Sequence, residues 1–133
     1  GAEEALAFVG LGAGMGLPCA ELSSAEQRLL MIATALATDP RVLLLDEPAA
    51  GMVAHERRVL SGLIERIRSR GIGVLVIEHH MGLIMEVCDR IVVLNFGRRI
   101  AEGTPAEISR NPAVIEAYLG RAHAAPGAAE PPR

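Results

Sequence analysis

The spacing of apolar positions changes several times along this chain, and each change marks an element. Residues 2 to 9, AEEALAFV, place Leu6 and Val9 on one face behind early acids and predict a short helix. A glycine-rich connection, GLGAGMGL at residues 10 to 17, follows. ELSSAEQRLLMIATALATDP then predicts a second helix, in which either Ser23 or Ser24 stands in capping-box spacing to Glu26 or Gln27. Leu29, Leu30, Ile32, Ala33, Leu36 and Ala37 give it a broad apolar face, and Asp39-Pro40 stops it. The helical period then breaks. Val42 to Leu45 are apolar without interruption and read as a strand buried on both faces, as inside a parallel sheet.

Glu56 to Arg68 is the clearest amphipathic helix, with Val59, Leu60, Leu63, Ile64 and Ile67 as its stripe. IGVLVIE, residues 72 to 78, is a second buried, β-branched strand, and Met81 to Val87 a short helix after it. RIVVLNFGRRIAEG reads as a hairpin: Ile91 to Leu94, a turn at Asn95-Phe96-Gly97, and Arg99 to Glu102 returning. Two helix starts close the pattern. Thr104 caps and Pro105 leads the first; Asn111 caps and Pro112 leads the second, with Gly120 as terminator. From Arg121 the chain is rich in Ala, Pro and Gly and is expected to be a disordered tail. Helix, strand, helix, strand with right-handed crossovers predicts half of a doubly wound α/β sheet.

Composition narrows the function. The 133 residues, 50% hydrophobic, suffice for one modest core, and no apolar run approaches the roughly 18 residues of a membrane span. A net charge of −3 with scattered signs gives neither a nucleic-acid footprint nor a basic membrane patch. Cys19 and Cys88 stand far apart without metal spacing and suggest a reducing compartment. No signal-peptide pattern is present, and a start at Gly1 inside a helical run reads as a cut from a longer protein or a tag remnant. All 13 basic residues are Arg. A Walker A loop requires a lysine on the phosphates, so this sequence contains none. The glycines at 10 to 17 do not supply a dinucleotide loop either, because Leu17 stands where the third glycine belongs.

The candidate chemistry lies at strand ends. Asp46 and Glu47 follow the first strand directly, and side-chain alternation sends them in different directions. Glu78, His79 and His80 end the second strand. The carboxyl edge of an open α/β sheet is where such folds hold ligands. In phosphoryl transfer one acid holds Mg²⁺ and another residue orients the attacking water. A plain acidic turn after a buried strand is the competing reading; convergence of both strand ends on one rim argues against it.

In order and at matching intervals, LSSAEQ, LLLDEPAAGM, IEHHM, DRIVVLNFGRRIAEGTPAEI and NPAVIEAYLG resemble the C-terminal part of an ABC-transporter ATP-binding domain. The nearest group is the ATPase subunits of branched-chain amino-acid importers. The resemblance runs from about Leu6 through Gly120. It implies a P-loop NTPase-like, three-layer α/β fragment with a parallel sheet core, lacking the N-terminal Walker A half. It divides the chain into the end of a helical subdomain and its connection at 1–20, and a signature helix, Walker B strand, switch strand and hairpin at 21–103. C-terminal helices at 104–120 and the tail at 121–133 complete it. By the same resemblance Asp46 is the Mg²⁺-side acid, Glu47 the catalytic carboxylate acting on water, and His79 the switch histidine. Ser23, Ser24, Ala25 and Glu26 belong to a signature loop that contacts ATP held by the opposite subunit of a head-to-tail dimer. Ala50 to Val53 is the D-loop at that interface. The implied cofactors are ATP and Mg²⁺, used only with the missing half and a second ATPase subunit. The implied partners are that subunit and transmembrane permease subunits, at the cytoplasmic face of the membrane; no nucleic acid is implied.

Four positions depart from the family pattern. Ala25 replaces a glycine, Glu26 a glutamine, His80 an aspartate, and Val53 an asparagine. A degenerate, non-hydrolysing relative with a pairing role is therefore the alternative. A small α/β binding module explains neither LSSAEQ nor the paired acids. The 133 residues alone are expected to show no turnover, and the missing half is expected to leave an apolar sheet face or edge exposed.

Overall fold

The run after Pro40 forms strand β1, Val42–Asp46, which pairs in parallel with β2, Gly73–Ile77. The computed structural model describes residues 1–119 and divides into two units, Gly1–Val87 and Cys88 onward, described separately below. The boundary falls inside the 21–103 stretch that the sequence reading treats as continuous. The expected helix–strand alternation holds throughout the first unit: α1 Ala2–Phe8, α2 Ser24–Leu36, β1, α3 Ala54–Ser69, β2 and α4 Met81–Val87. The glycine-rich connection contains a short 3-10 turn at Gly12–Gly14, and another follows at Cys19–Glu21.

Helix α3 carries the core. Leu60, Leu63, Ile64 and Ile67 are completely or almost completely buried, at the spacing of its apolar stripe, and α3 packs against β2. Leu43 and Leu45 are buried on one face of the sheet, in register with Val74 and Val76. Leu44 is 68% exposed, and Val42, Leu75 and Ile77 each more than half exposed, on the other. The strand is thus buried on one face, not on both. An apolar run shows that a strand can be sandwiched, but the covering layer must come from elsewhere in the fold. The bare apolar face is the one expected of a partial domain. Beside it, a groove of about 330 Å³ runs between α2 and β1, bordered by Met31, Ala35 and Leu44.

Helix α1 packs on α2. The Phe8 ring lies under the Arg66 and Arg70 guanidiniums, 5.5 and 3.6 Å from its centroid, which ties the chain start to α3 and its end.

In the second unit β3, Ile91–Asn95, and β4, Arg98–Gly103, form an antiparallel hairpin with a register shift between Val93 and Leu94. The turn is two residues, Phe96-Gly97, because Asn95 already pairs with Arg98. Both turn residues have positive φ, 47° and 73°, the geometry whose twist matches a hairpin. Helix α5, Pro105–Arg110, starts as expected: Thr104 accepts from the Glu107 amide and Glu107 from the Thr104 amide. Asn111 caps α6, Pro112–Val114, which continues as a π-helical turn at Ile115–Leu119. Tyr118 donates its hydroxyl to the Leu94 carbonyl, while Ile108 and Val114 fill the core. The expected Gly120 terminator and the tail lie outside the described residues.

Candidate functional site

The rim of the parallel sheet begins with Glu47. Its amide donates to the Ile77 carbonyl at 2.7 Å, which extends the ladder one residue past β1. Its carbonyl accepts from the Ala50 amide at 3.1 Å and from Arg28 Nη1 at 2.5 Å. These bonds hold Glu47 in the left-handed region, φ 46°, where an L-residue is disfavoured by about 1–2 kcal/mol. The turn redirects the chain between two adjacent acids, so that Glu47 reaches toward β2 and Asp46 remains exposed at the strand end beside the α2 groove.

His79 meets Glu47 across the sheet. His79 Nδ1 lies 3.4 Å from Glu47 Oε1 and 3.4 Å from Glu78 Oε1, so one imidazole nitrogen faces two carboxylates. The Glu47 and His79 side chains are exposed, whereas that of Glu78 is only 1% exposed. Glu78 is satisfied by backbone: Oε2 accepts from the Ala49 amide and Oε1 from the His79 amide, each at 3.0 Å. On the other side of His79, His80 Nδ1 accepts from the Leu83 amide at 3.3 Å and caps the start of α4. A Cβ on Gly82 would stand 3.1 Å from the His80 ring, so the small residue leaves room for the imidazole. The arrangement offers an exposed carboxylate, an imidazole able to give or take a proton, and a buried carboxylate beneath both.

The donor set suits a hard cation sharing its shell with water and phosphate. Asp46 offers carboxylate oxygens, and Mg²⁺ is usually held by one or two carboxylates, its remaining positions filled by other oxygens. Among the described residues no group of three or more His, Cys, Asp or Glu gathers to hold a metal. The exposed Asp46 carboxylate has the chemistry to hold one side of a Mg²⁺ whose other ligands would be water and phosphate oxygens.

At the start of α2, the cap is Ser23, not Ser24. Ser23 Oγ accepts from the Glu26 amide at 3.2 Å, and Glu26 Oε2 accepts from the Ser23 amide at 2.8 Å. That second bond holds the Glu26 carboxyl below its usual range, with the Ser23 hydroxyl adding to the effect. Glu26 therefore seats a carboxylate on the backbone amide of the cap residue at the start of α2. Ser23, Ala25 and Glu26 line a groove of about 290 Å³ with Met52, His55 and Glu56, which brings the start of α2 together with the segment after Pro48.

Two contributors carry no assignment in the sequence reading. Arg28 sits on α2, and nothing local signals that it reaches a carbonyl 19 residues away. Glu78 does have a signal: continuing the alternation of β2 places it on the covered face of Val74 and Val76, where a carboxylate needs dedicated partners.

The family model described as ABC transporter matches residues 1–50, and that of the branched-chain amino acid ATP-binding cassette transporter matches residues 98–124. The chain is 50% identical over 102 residues to the high-affinity branched-chain amino acid transport ATP-binding protein BraF of Pseudomonas aeruginosa, covering 76% of this chain and 40% of that protein. It is 47% identical over the same length, with the same coverages, to LivG of Escherichia coli. It is 41% identical over 99 residues to the lipopolysaccharide export ATP-binding protein LptB of Acidithiobacillus ferridurans, covering 74% of this chain and 41% of the relative. Among solved structures, the ADP conformation of an ATP-binding cassette of an ABC transporter superposes with a TM-score of 0.81 at 29% identity, covering 90% of this chain and 48% of the other. CbiO1 of Clostridium perfringens gives 0.76 at 29% identity, covering 86% and 46%. The chain thus spans about two fifths of the length of these curated relatives.

Proposed function

We propose, on the premise that this chain belongs to the ABC-transporter ATP-binding family and matches its C-terminal part, that it supplies the hydrolytic wall of an importer ATPase. The substrate class is branched-chain amino acids, supported by the BraF and LivG relatives and by the match over 98–124. In this reading Glu47 activates the attacking water, His79 bridges Glu47 and the γ-phosphate, and Asp46 holds the Mg²⁺ side of ATP. The start of α2, Ser23 to Glu26, faces ATP bound by a second ATPase subunit. Permease subunits carry the solute, and the assembly lies at the cytoplasmic face of a membrane. None of the described helices is long and apolar enough to cross one. A chain without lysine takes its phosphate loop from other sequence.

The observation that carries the reading is the 3.4 Å approach of His79 Nδ1 to Glu47 Oε1 across the strand ends. A non-hydrolysing relative is the second reading, favoured by the Glu26 carboxylate seated on the Ser23 amide. The two separate in a protein carrying the complete domain. Glu47→Gln there should lower ATP turnover by at least about 100-fold, the ordinary contribution of a general base, while ATP still binds. Equal turnover in both forms removes Glu47 from the reaction, and no turnover in either favours the non-hydrolysing relative. The 133-residue chain by itself should not hydrolyse ATP.

A further inference from the structure

We infer that Glu78 is a positioning residue that sets the distance between the Glu47 loop and His79. The inference rests on the reading of Glu47 and His79 as the reacting pair, but its structural half stands without it. Glu78 follows β2 directly, and its side chain is almost entirely removed from solvent. A carboxylate in such a place is tolerated when its oxygens are hydrogen-bonded. Here one oxygen takes the amide of Ala49, two residues beyond Glu47, and the other takes the amide of His79 itself. The carboxylate therefore ties together two segments 29 residues apart, each carrying one member of the pair.

It also acts on the imidazole. The oxygen that accepts from the His79 amide lies 3.4 Å from Nδ1 of the same residue, and Glu47 Oε1 lies 3.4 Å from that nitrogen as well. Two acceptors on one side favour a proton on Nδ1, and in the neutral ring that leaves the Nε2 lone pair facing outward. At 3.4 Å from each carboxylate, Nδ1 lies in the field of both without a formed hydrogen bond to either, and the ring is otherwise exposed. Glu78 touches no substrate in this arrangement; it works through the loop and the ring.

The test is read first on the 133-residue chain. Imidazole ¹⁵N NMR of His79 should show Nδ1 as the protonated nitrogen in the neutral form. Glu78→Gln, nearly the same shape, should shift the ring toward the Nε2–H form and speed exchange of the Ala49 amide about tenfold, the loss of one ordinary hydrogen bond. Exchange at Leu63 in α3 should stay unchanged. An unaltered imidazole signature in Glu78→Gln overturns the inference. So does faster exchange of equal size at Ala49 and Leu63, which marks a merely structural role. Glu78→Asp keeps the charge but is one methylene shorter, and should recover the Nδ1–H form in part. Hydrolysis by a complete-domain protein gives the second reading: Glu78→Gln should lower kcat by up to about 100-fold with little change in KM. A changed ring signature with unchanged kcat removes Glu47 and His79 as the reacting pair and leaves the brace standing.

Discussion

Strands β1 and β2 meet across a sixteen-residue helix and its flanking loops, whereas β3 and β4 meet across two residues. The hairpin carries its own means of closure: a turn with the right handedness, an Arg90–Glu102–Arg99 cluster, and a tyrosine hydroxyl on a strand carbonyl. The parallel pair has no such local closure. It is held by α3 on one face and leaves Val42, Leu44, Leu75 and Ile77 uncovered on the other. Parallel sheets are ordinarily covered on both faces, so the half-bare pair is the part of this chain whose environment is incomplete. The proposed chemistry lies on that same pair. Local closure is self-sufficient; the sheet that carries the site is not.

The sharpest way to break this contrast is to cut into each face of the parallel pair. Leu63→Ala, under the covered face, should destabilise the first unit by about 2–5 kcal/mol in urea unfolding followed at α3. Leu44→Ala, on the bare face, should change it by no more than about 0.5 kcal/mol. Similar losses at both positions would mean the second face is not bare. The next effect is association. Sedimentation of the 133-residue chain should show self-association that rises with concentration, and Leu44→Glu with Leu75→Glu should suppress it. A wild-type chain that stays monomeric removes the bare face as a liability.

The smallest effect belongs to the hairpin. The hydrogen bond from Arg90, with its charge and that of Arg99, holds the Glu102 carboxyl below its usual range. A carboxyl depressed in the folded state contributes stability that is present above its unfolded value, about pH 4.3, and is lost as pH falls through the folded value. Acid should therefore loosen the hairpin gradually, and Glu102→Gln should flatten that dependence in NMR followed at β3 and β4. A variant with unchanged acid dependence would show that the cluster is decorative.

Much of this was readable in advance. The helix periods, the caps at Thr104 and Asn111, and the convergence of two strand ends on one rim follow from local pattern, and the structure reproduces each. What failed to show was whatever depends on distant approach. Arg28 on the Glu47 carbonyl joins α2 to the end of β1, and no helical pattern encodes where a guanidinium will land. The choice of Ser23 over Ser24 as cap was open because both have the right neighbour three residues on. The exposure of Leu44 was hidden for a different reason: hydrophobicity records the environment for which a strand is suited, not the cover available within the described residues.

Glu47 has a further consequence, visible in its left-handed backbone. A glycine or an asparagine would be more comfortable at this turn, and neither can act as the proposed base. Variants chosen only for heat resistance would thus be drawn away from glutamate, whereas the proposed hydrolysis would hold the position to it, so durability and the proposed chemistry pull in opposite directions at this one codon.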